Sequence, residues 1–301
     1  GFKTIRFSGG EPLLHKDFKS IVDYMAKNNL KGVIITNATL LDKDLAERLM
    51  KYGWRVVISL DGPDAKTHDS IRGKKGVFEK ALNAIKLLKE AQKTYGNGQI
   101  RIHSVLTNRN SDKIFDMIMF SKKLDLKCSI NMISGGALRI SSTGELYEST
   151  NNMFDDRQVS IIKDELLKVK NTFPDYNKYV AWLDDFLSDK LSENDLHDMQ
   201  PHKAKIEQSK IFCYHCINSC TIKPNGNVYP CCHLTSSNEL MGNLNDMDFE
   251  NIWNNKTYNQ LRKNTMPLCE RSPYECDECS LFDHFDEITQ IIKKFKTENE
   301  T

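Results

Sequence analysis

Apolar residues recur along the first 130 positions in two alternating periods. Short runs rich in Ile and Val, Thr4 to Ser8, Gly32 to Thr36, Arg55 to Ser59, Ile100 to Leu106 and Cys128 to Ile133, have the length and composition of strands. Between them, segments near 17 to 28, 43 to 52, 77 to 95 and 112 to 124 place apolar side chains three and four apart, as in Phe18, Ile21, Val22 and Met25. That spacing puts one stripe on a helix face, so each segment can lie against a sheet. Strand and helix alternate, which predicts parallel strands joined by crossover helices. The pattern by itself fits a partial barrel and an open parallel sheet equally well.

Beyond residue 135 the chain becomes more polar. Helices are expected near 156 to 172 and 177 to 190, on either side of a turn at Pro174. From about 206 to 282 the periodicity fades and Cys, Asn, Gly and Pro take over, the composition of a small module whose core is not chiefly apolar. A last amphipathic helix runs from Phe282 to about Phe295. The expected domains are therefore a sheet-and-helix domain over 1–135, a helical bridge over 136–205, a cysteine-rich domain over 206–282 and a terminal helix and tail over 283–301.

The charge balance, 42 Lys and Arg against 41 Asp and Glu, gives no reason to expect nucleic acid or an anionic membrane as partner. No apolar run reaches the roughly 20 residues that cross a bilayer, so a cytoplasmic protein is expected. Nine cysteines are present, eight of them between Cys213 and Cys279. In a chain of this kind, such clustering points to metal binding before disulfides. Cys128 stands alone in an apolar strand and reads as core.

In a parallel α/β sheet, ligands bind beyond the carboxyl ends of the strands. The first strand is followed by Ser8-Gly9-Gly10-Glu11-Pro12, the second ends in Thr36-Asn37, and the third runs into Ser59-Leu60-Asp61-Gly62-Pro63. Glycines permit close backbone approach, Glu11 offers a carboxylate to an amine, and Pro12 stiffens the turn. Each motif alone is also an ordinary turn former. Together, with His68-Asp69-Ser70-Ile71-Arg72-Gly73 downstream, the ordered set resembles the radical S-adenosylmethionine (SAM) superfamily over residues 3 to about 133. The resemblance implies an α/β fold with a partial (β/α)6 barrel lacking its first strand. It also implies that Gly9, Gly10 and Glu11 hold the amino group of SAM, that Ser59 contacts its ribose or carboxylate, and that Asn37, Asp61 and Arg72 belong to the same site. Asn131 and Ser134 would face the same mouth.

The segment from Cys213-Tyr214-His215-Cys216 through Asn225-Gly226 to Cys231-Cys232 reads as a hairpin with thiols on either side. It is followed by Gly242-Asn243-Leu244, Ile252-Trp253, Leu261-Arg262, Cys269 and Cys276-x-x-Cys279. This order resembles the SPASM iron–sulfur domain. It implies at least one auxiliary 4Fe-4S cluster, with ligands drawn from Cys213, Cys216, Cys231, Cys232, Cys269, Cys276 and Cys279, while Cys220 is expected as a buried thiol. Elsewhere in the superfamily a C-x3-C-x2-C motif precedes GGEP; here only eight residues do, and Cys213, Cys216 and Cys220 have the reversed spacing. The expectation is an N-terminally truncated chain, inactive alone, whose full-length form cleaves SAM to a 5'-deoxyadenosyl radical and abstracts hydrogen from a peptide or protein. A flavodoxin or ferredoxin would serve as electron donor. The alternative is a zinc ribbon or cluster-bearing peptide-binding module beside a catalytically silent barrel.

Overall fold

The computed structural model describes residues 2–132, 139–140, 146–147, 154–176, 219–230, 235 and 239–265. The chain divides into two compact units, Gly1–Ser188 and Asp189–Thr301. In the first unit, strands β1 (Thr4–Phe7), β2 (Lys31–Thr36), β3 (Arg55–Ser59), β4 (Gln99–Leu106) and β5 (Lys127–Met132) form one sheet in sequence order, every neighbour parallel. Helices α1 (Phe18–Lys27), α2 (Lys43–Lys51), α4 (Val77–Tyr95) and α5 (Ile114–Lys123) occupy the connections close to the expected spans. One helix was not foreseen: α3 (Ala65–Arg72) follows β3 and carries the His-Asp-x-Ile-Arg segment. Its apolar content is low, so it leaves no stripe for a periodicity argument to find.

Helices α1, α2, α4 and α5 bury their apolar faces against the same side of the sheet. Phe18, Val22 and Met25 of α1, Leu45 and Leu49 of α2, Ala81, Ile85 and Leu88 of α4, and Ile114, Met117 and Ile118 of α5 share one core with Ile34, Val56, Ile58, Ile100, Ile102 and Ile130. A doubly wound sheet would distribute its helices over both faces. Sequential strand order with one-sided helices is instead the winding of a barrel wall, which decides between the two architectures that the hydrophobic pattern left open.

Trp54 sits at the base of this core with no exposed surface. It stacks on Phe7 at 5.6 Å and meets Phe18 edge-on at 5.9 Å. Gly32 makes room for it: a Cβ there would lie 2.2 Å from the indole ring. Helix α6 (Asp156–Thr172) begins with a capping box between Asp155 and Gln158. Its Val159, Ile162, Leu166 and Val169 join the same core, and its buried Glu165 accepts from the Phe115 backbone N–H at the start of α5. The short strands β6 (Arg139–Ile140) and β7 (Leu146–Tyr147) pair antiparallel.

In the second unit, β8 (Thr221–Ile222), β9 (Asn227–Tyr229) and β10 (Gly242–Asn243) make a small antiparallel sheet with β9 central. The turn between β8 and β9 contains Asn225-Gly226, and Gly226 takes the left-handed φ of 86° that favours glycine. Helices α7 (Phe249–Trp253) and α8 (Lys256–Thr265) follow. The apolar core among the described residues is small: Val228, Met241, Ile252, Tyr258 and Leu261. Asparagine side chains supply much of the remaining order. Asn243 Nδ2 donates to Asn225 O at 3.0 Å and Asn227 Oδ1 at 2.7 Å, and Asn255 bridges Met241 O and Tyr258 N. The Arg262 guanidinium lies 4.1 Å from the ring centres of both Trp253 and Tyr258.

Candidate functional site

The site is built at the carboxyl ends of β1, β2 and β3. After β1 the chain passes through Gly9, with φ at 119°, and Gly10. Both are exposed, and a Cβ on either would meet nothing within 4 Å. Such open space is what a ligand approaching the backbone requires. Glu11 then caps the turn Pro12–Leu14, its Oε1 accepting from Leu13 N at 3.1 Å.

The same carboxylate reaches across to β2. Oε1 accepts from Thr36 Oγ1 at 2.6 Å and Oε2 from Asn37 N at 2.8 Å. Glu11 therefore locks the end of β1 to the end of β2. One further lone-pair direction, on Oε2, still suits a donor, so a pre-oriented carboxylate stands beside the Gly9–Gly10 opening. The Asn37 side chain is spent locally, Oδ1 accepting from Thr39 N at 2.9 Å and Thr39 Oγ1 at 2.7 Å. Of Asn37, it is the backbone N–H that meets Glu11.

Asp61 and Arg72 come together, but on each other. Arg72 Nε lies 2.7 Å from Asp61 Oδ2, and the Asp61 side chain is 4% exposed. Its Oδ1 accepts from Val105 N at 3.0 Å, while its carbonyl accepts from Asn110 Nδ2 at 2.8 Å. Both carboxylate oxygens of Asp61 are thus engaged within the protein, tying the end of β3 to β4 and to α3. Arg72 is held from below by the same bond and remains partly exposed at 34%.

His68 and Asp69 are likewise bonded within the protein. His68 Nδ1 accepts from Asp61 N at 3.0 Å, and burial keeps its pKa below the usual imidazole value, so the ring stays a neutral acceptor. Asp69 accepts from Phe78 N at 2.9 Å and Gly76 N at 2.5 Å at the start of α4. Those two bonds hold its carboxyl below the ordinary range.

Strand alternation turns a second set of side chains away from the helices. Ser59, His103 and Ser129 are register partners on β3, β4 and β5, so they form one row across the open face. His103 Nδ1 lies 3.0 Å from Ser129 Oγ. Burial lowers the pKa of His103, outweighing the nearby Asp61 charge that raises it. His103 was missed in the sequence, although the period-two pattern of β4 signals it: Ile100, Ile102, Ser104 and Leu106 are buried, which leaves Arg101, His103 and Val105 for the opposite face. Asn131 is exposed on the same face as Ser129.

Among the described cysteines, Cys128 is core, and burial pushes its thiol up to about 12. Cys220 is half-buried against the small second core, with its thiol raised to about 11 by burial. Neither is poised to ionise. Cys213, Cys216, Cys231, Cys232, Cys269, Cys276 and Cys279, with Ser134 and the helices expected at 177–190 and 282–295, lie outside the described residues. No helix among the described residues is long and apolar enough to cross a membrane.

Known proteins align with nearly the whole chain. It is 26% identical over 282 residues to the AdoMet-dependent heme synthase of Methanosarcina barkeri, covering 90% of this chain and 75% of that protein. It is 27% identical to the antilisterial bacteriocin subtilosin biosynthesis protein AlbA of Bacillus subtilis, over 87% of this chain and 51% of the relative. The mycofactocin maturase MftC of Mycobacterium tuberculosis is 26% identical over 93% of this chain and 64% of the relative. The chain thus spans between 51 and 75% of the length of these three relatives. Among solved structures, native anSMEcpe with bound AdoMet superposes with a TM-score of 0.59 at 18% identity, covering 93% of this chain and 72% of that one. That likeness concerns the fold.

A match to the Radical SAM superfamily and a match to an iron–sulfur cluster-binding domain together imply SAM and 4Fe-4S clusters as cofactors. Eight thiols between Cys213 and Cys279 are a fitting donor set for a cluster by number and type, and the open Gly9–Gly10 backbone beside Glu11 fits a ligand bearing an amine. Residues 1–132 match the Radical SAM superfamily and residues 213–280 match SPASM, an iron–sulfur cluster-binding domain, so this is a radical SAM–SPASM protein.

Proposed function

We propose that this protein is the radical SAM/SPASM part of an enzyme that cleaves SAM to a 5'-deoxyadenosyl radical and abstracts hydrogen from a peptide or protein substrate. The observation that carries the reading is the Gly9–Gly10 opening next to a carboxylate pre-aimed by Thr36 and Asn37. Glu11 and the glycine backbone would take the amino group, Ser59 the ribose or carboxylate, and the free edge of Arg72 an anionic end of the cofactor. Asp61 acts through Arg72, setting its position. Bound with a cluster, SAM supplies the radical chemistry. The chain's own residues would bind it and orient it.

The auxiliary cluster would be held in the second unit by a subset of Cys213, Cys216, Cys231, Cys232, Cys269, Cys276 and Cys279, and a flavodoxin or ferredoxin would deliver electrons. Two of the relatives described above, AlbA and MftC, are a bacteriocin biosynthesis protein and a maturase, which supports a peptide substrate. A second reading, a tetrapyrrole substrate, is favoured by the relative that is a heme synthase.

The residues 1–301 contain no C-x3-C-x2-C. The test of activity uses the whole protein, reconstituted anaerobically with iron and sulfide and given SAM and dithionite. Formation of 5'-deoxyadenosine is expected; a protein that binds SAM yet never yields it would end the enzymatic reading. Zinc without iron in protein purified anaerobically would favour the zinc-ribbon alternative. Gly10→Val offers a cleaner probe of the site. Its side chain meets no protein atom at Cβ, so Tm should hold while SAM binding weakens by about tenfold or more, roughly 1.4 kcal/mol.

A further inference from the structure

The open face of the sheet carries more charge than cofactor binding requires. Below the Ser59–His103–Ser129 row lie Arg101 and Lys127, register partners on β4 and β5. One step further down, Arg6 and Arg55 share a row across β1, β2 and β3, and Lys31 lies at the foot of β2 on the same face. Each step is two residues, about 7 Å, and adjacent strands are about 5 Å apart. Arg6, Lys31, Arg101 and Lys127 are exposed and Arg55 half-buried.

No Asp or Glu of β1 to β5 occupies this face, because those strands contain none. None of the five cations makes an ion pair among the described residues; Arg55 Nε is bound only by neutral Gln99 Oε1 at 3.0 Å. Elsewhere in this unit Lys19 and Arg48 each contact two carboxylates. Leaving like charges opposite one another across a strand pair is destabilising unless something neutralises them. The pKa of Arg101 is lowered, by desolvation first and by the charge of Arg55 second.

We propose that this face recognises a carboxylate-rich segment of an extended peptide substrate, with Arg55, Arg101 and Lys127 reading acidic side chains one and two steps below Ser59 and His103. The inference rests on the peptide reading given above and specifies its substrate class. An extended chain presents alternate side chains at the same spacing of about 7 Å that separates the rows of cations. Guanidinium groups pair with carboxylates in a bidentate fork, so the arginines supply geometry as well as charge. A peptide anchored there would hold its next residues level with the Ser59 row, beside the proposed cofactor.

The experiment is equilibrium binding to the full protein of a fluorescein-labelled peptide of about ten residues, alternating glutamate and alanine, followed by anisotropy at about 150 mM salt. Its glutamine counterpart and a soluble porphyrin tetracarboxylate serve as the other arms. Expected are binding of the glutamate peptide but not the glutamine one, and a loss of about tenfold or more in Arg101→Gln/Lys127→Gln. A control pair on the exposed side of α4, Lys86→Gln/Lys93→Gln, should stay within about twofold.

The Arg101→Gln/Lys127→Gln protein should also melt at the same or a higher temperature, because a repulsion has been removed. Equal binding by that variant, an equal loss in the control pair, failure of the glutamate peptide to bind, or binding of the porphyrin alone would each overturn the proposal. None of these readouts needs SAM cleavage. Absence of 5'-deoxyadenosine would therefore sink the proposed reaction and leave this result untouched.

Discussion

Around Trp54 the first unit closes with rings on two sides and a glycine beneath, and helices from four connections pack over the sheet. Around Asn225-Gly226 the second unit closes with amide side chains, a guanidinium resting on two aromatic rings and a handful of buried apolar residues. The first arrangement draws its stability from apolar burial, which is non-directional and grows with area. The second has too little of that area, and directional hydrogen bonds add only about 1 kcal/mol net apiece. A unit of this kind needs a further tie, and the thiols flanking its described part are the chemistry available.

The comparison is broken most directly by removing metal. Stripping the clusters, or replacing Cys276 and Cys279 by Ser, should abolish the cooperative melting of the second unit and leave that of the first in place, read by calorimetry with hydrogen exchange. Retained exchange protection over β8 to β10 in stripped protein would show that the asparagine network suffices alone.

The next largest effect is expected in the first unit. Trp54→Ala should cost about 3–5 kcal/mol and lower the transition assigned to the sheet without moving the second. Gly32→Ala attacks the same contact from the other side, since its Cβ must displace the indole. A shift of both transitions together would mean that the units do not melt independently.

Smaller is Asp61→Asn, which leaves Arg72 without its partner and Val105 N with a weaker acceptor. Because Arg72 is about one-third exposed, solvent screens part of the loss, and about 2 kcal/mol is expected. SAM binding should weaken with it if Asp61 positions Arg72. An unchanged affinity would confine the pair to a structural role.

The smallest effect is on pH. His68 and His103 both have folded pKa values below the unfolded value of 6.5. The stability linked to them is complete above that value and is lost as pH falls through the folded values, because the unfolded chain then binds protons more readily. The Tm of the first unit should fall as the pH drops below about 6.5, and His68→Gln/His103→Gln should flatten that slope. Below about pH 4, Asp69 adds a loss of the same sign, since its folded carboxyl is also depressed. Earlier exchange of Gly76 and Phe78 amides would report it.

Much of this architecture is legible in the chain because the two hydrophobic periods are strong where a face is buried. The five strands and the helices over 17–28, 43–52, 77–95 and 112–124 lie within about two residues of their expected bounds. Helix α3 was not legible, being held by an N-cap at Asp64 and by bonds to its polar side chains. The candidate site divides the same way. Gly9, Gly10 and Glu11 announce themselves as a motif, whereas His103 and the cations of the open face become visible only once register aligns residues more than forty positions apart, as with Ser59 and His103.

The sequence by itself determined the α/β alternation, the strand-end motifs and the thiol-rich second module, because those depend on local period and on residue type. Only the tertiary structure decided that the helices share one side of the sheet, that Asp61 is consumed by Arg72 and Val105, and that five positive charges fall on one face with no acid among them. Each of these depends on which distant backbones pair and on what remains for a side chain to bind once its neighbours have been satisfied, and neither is written in the spacing along the chain.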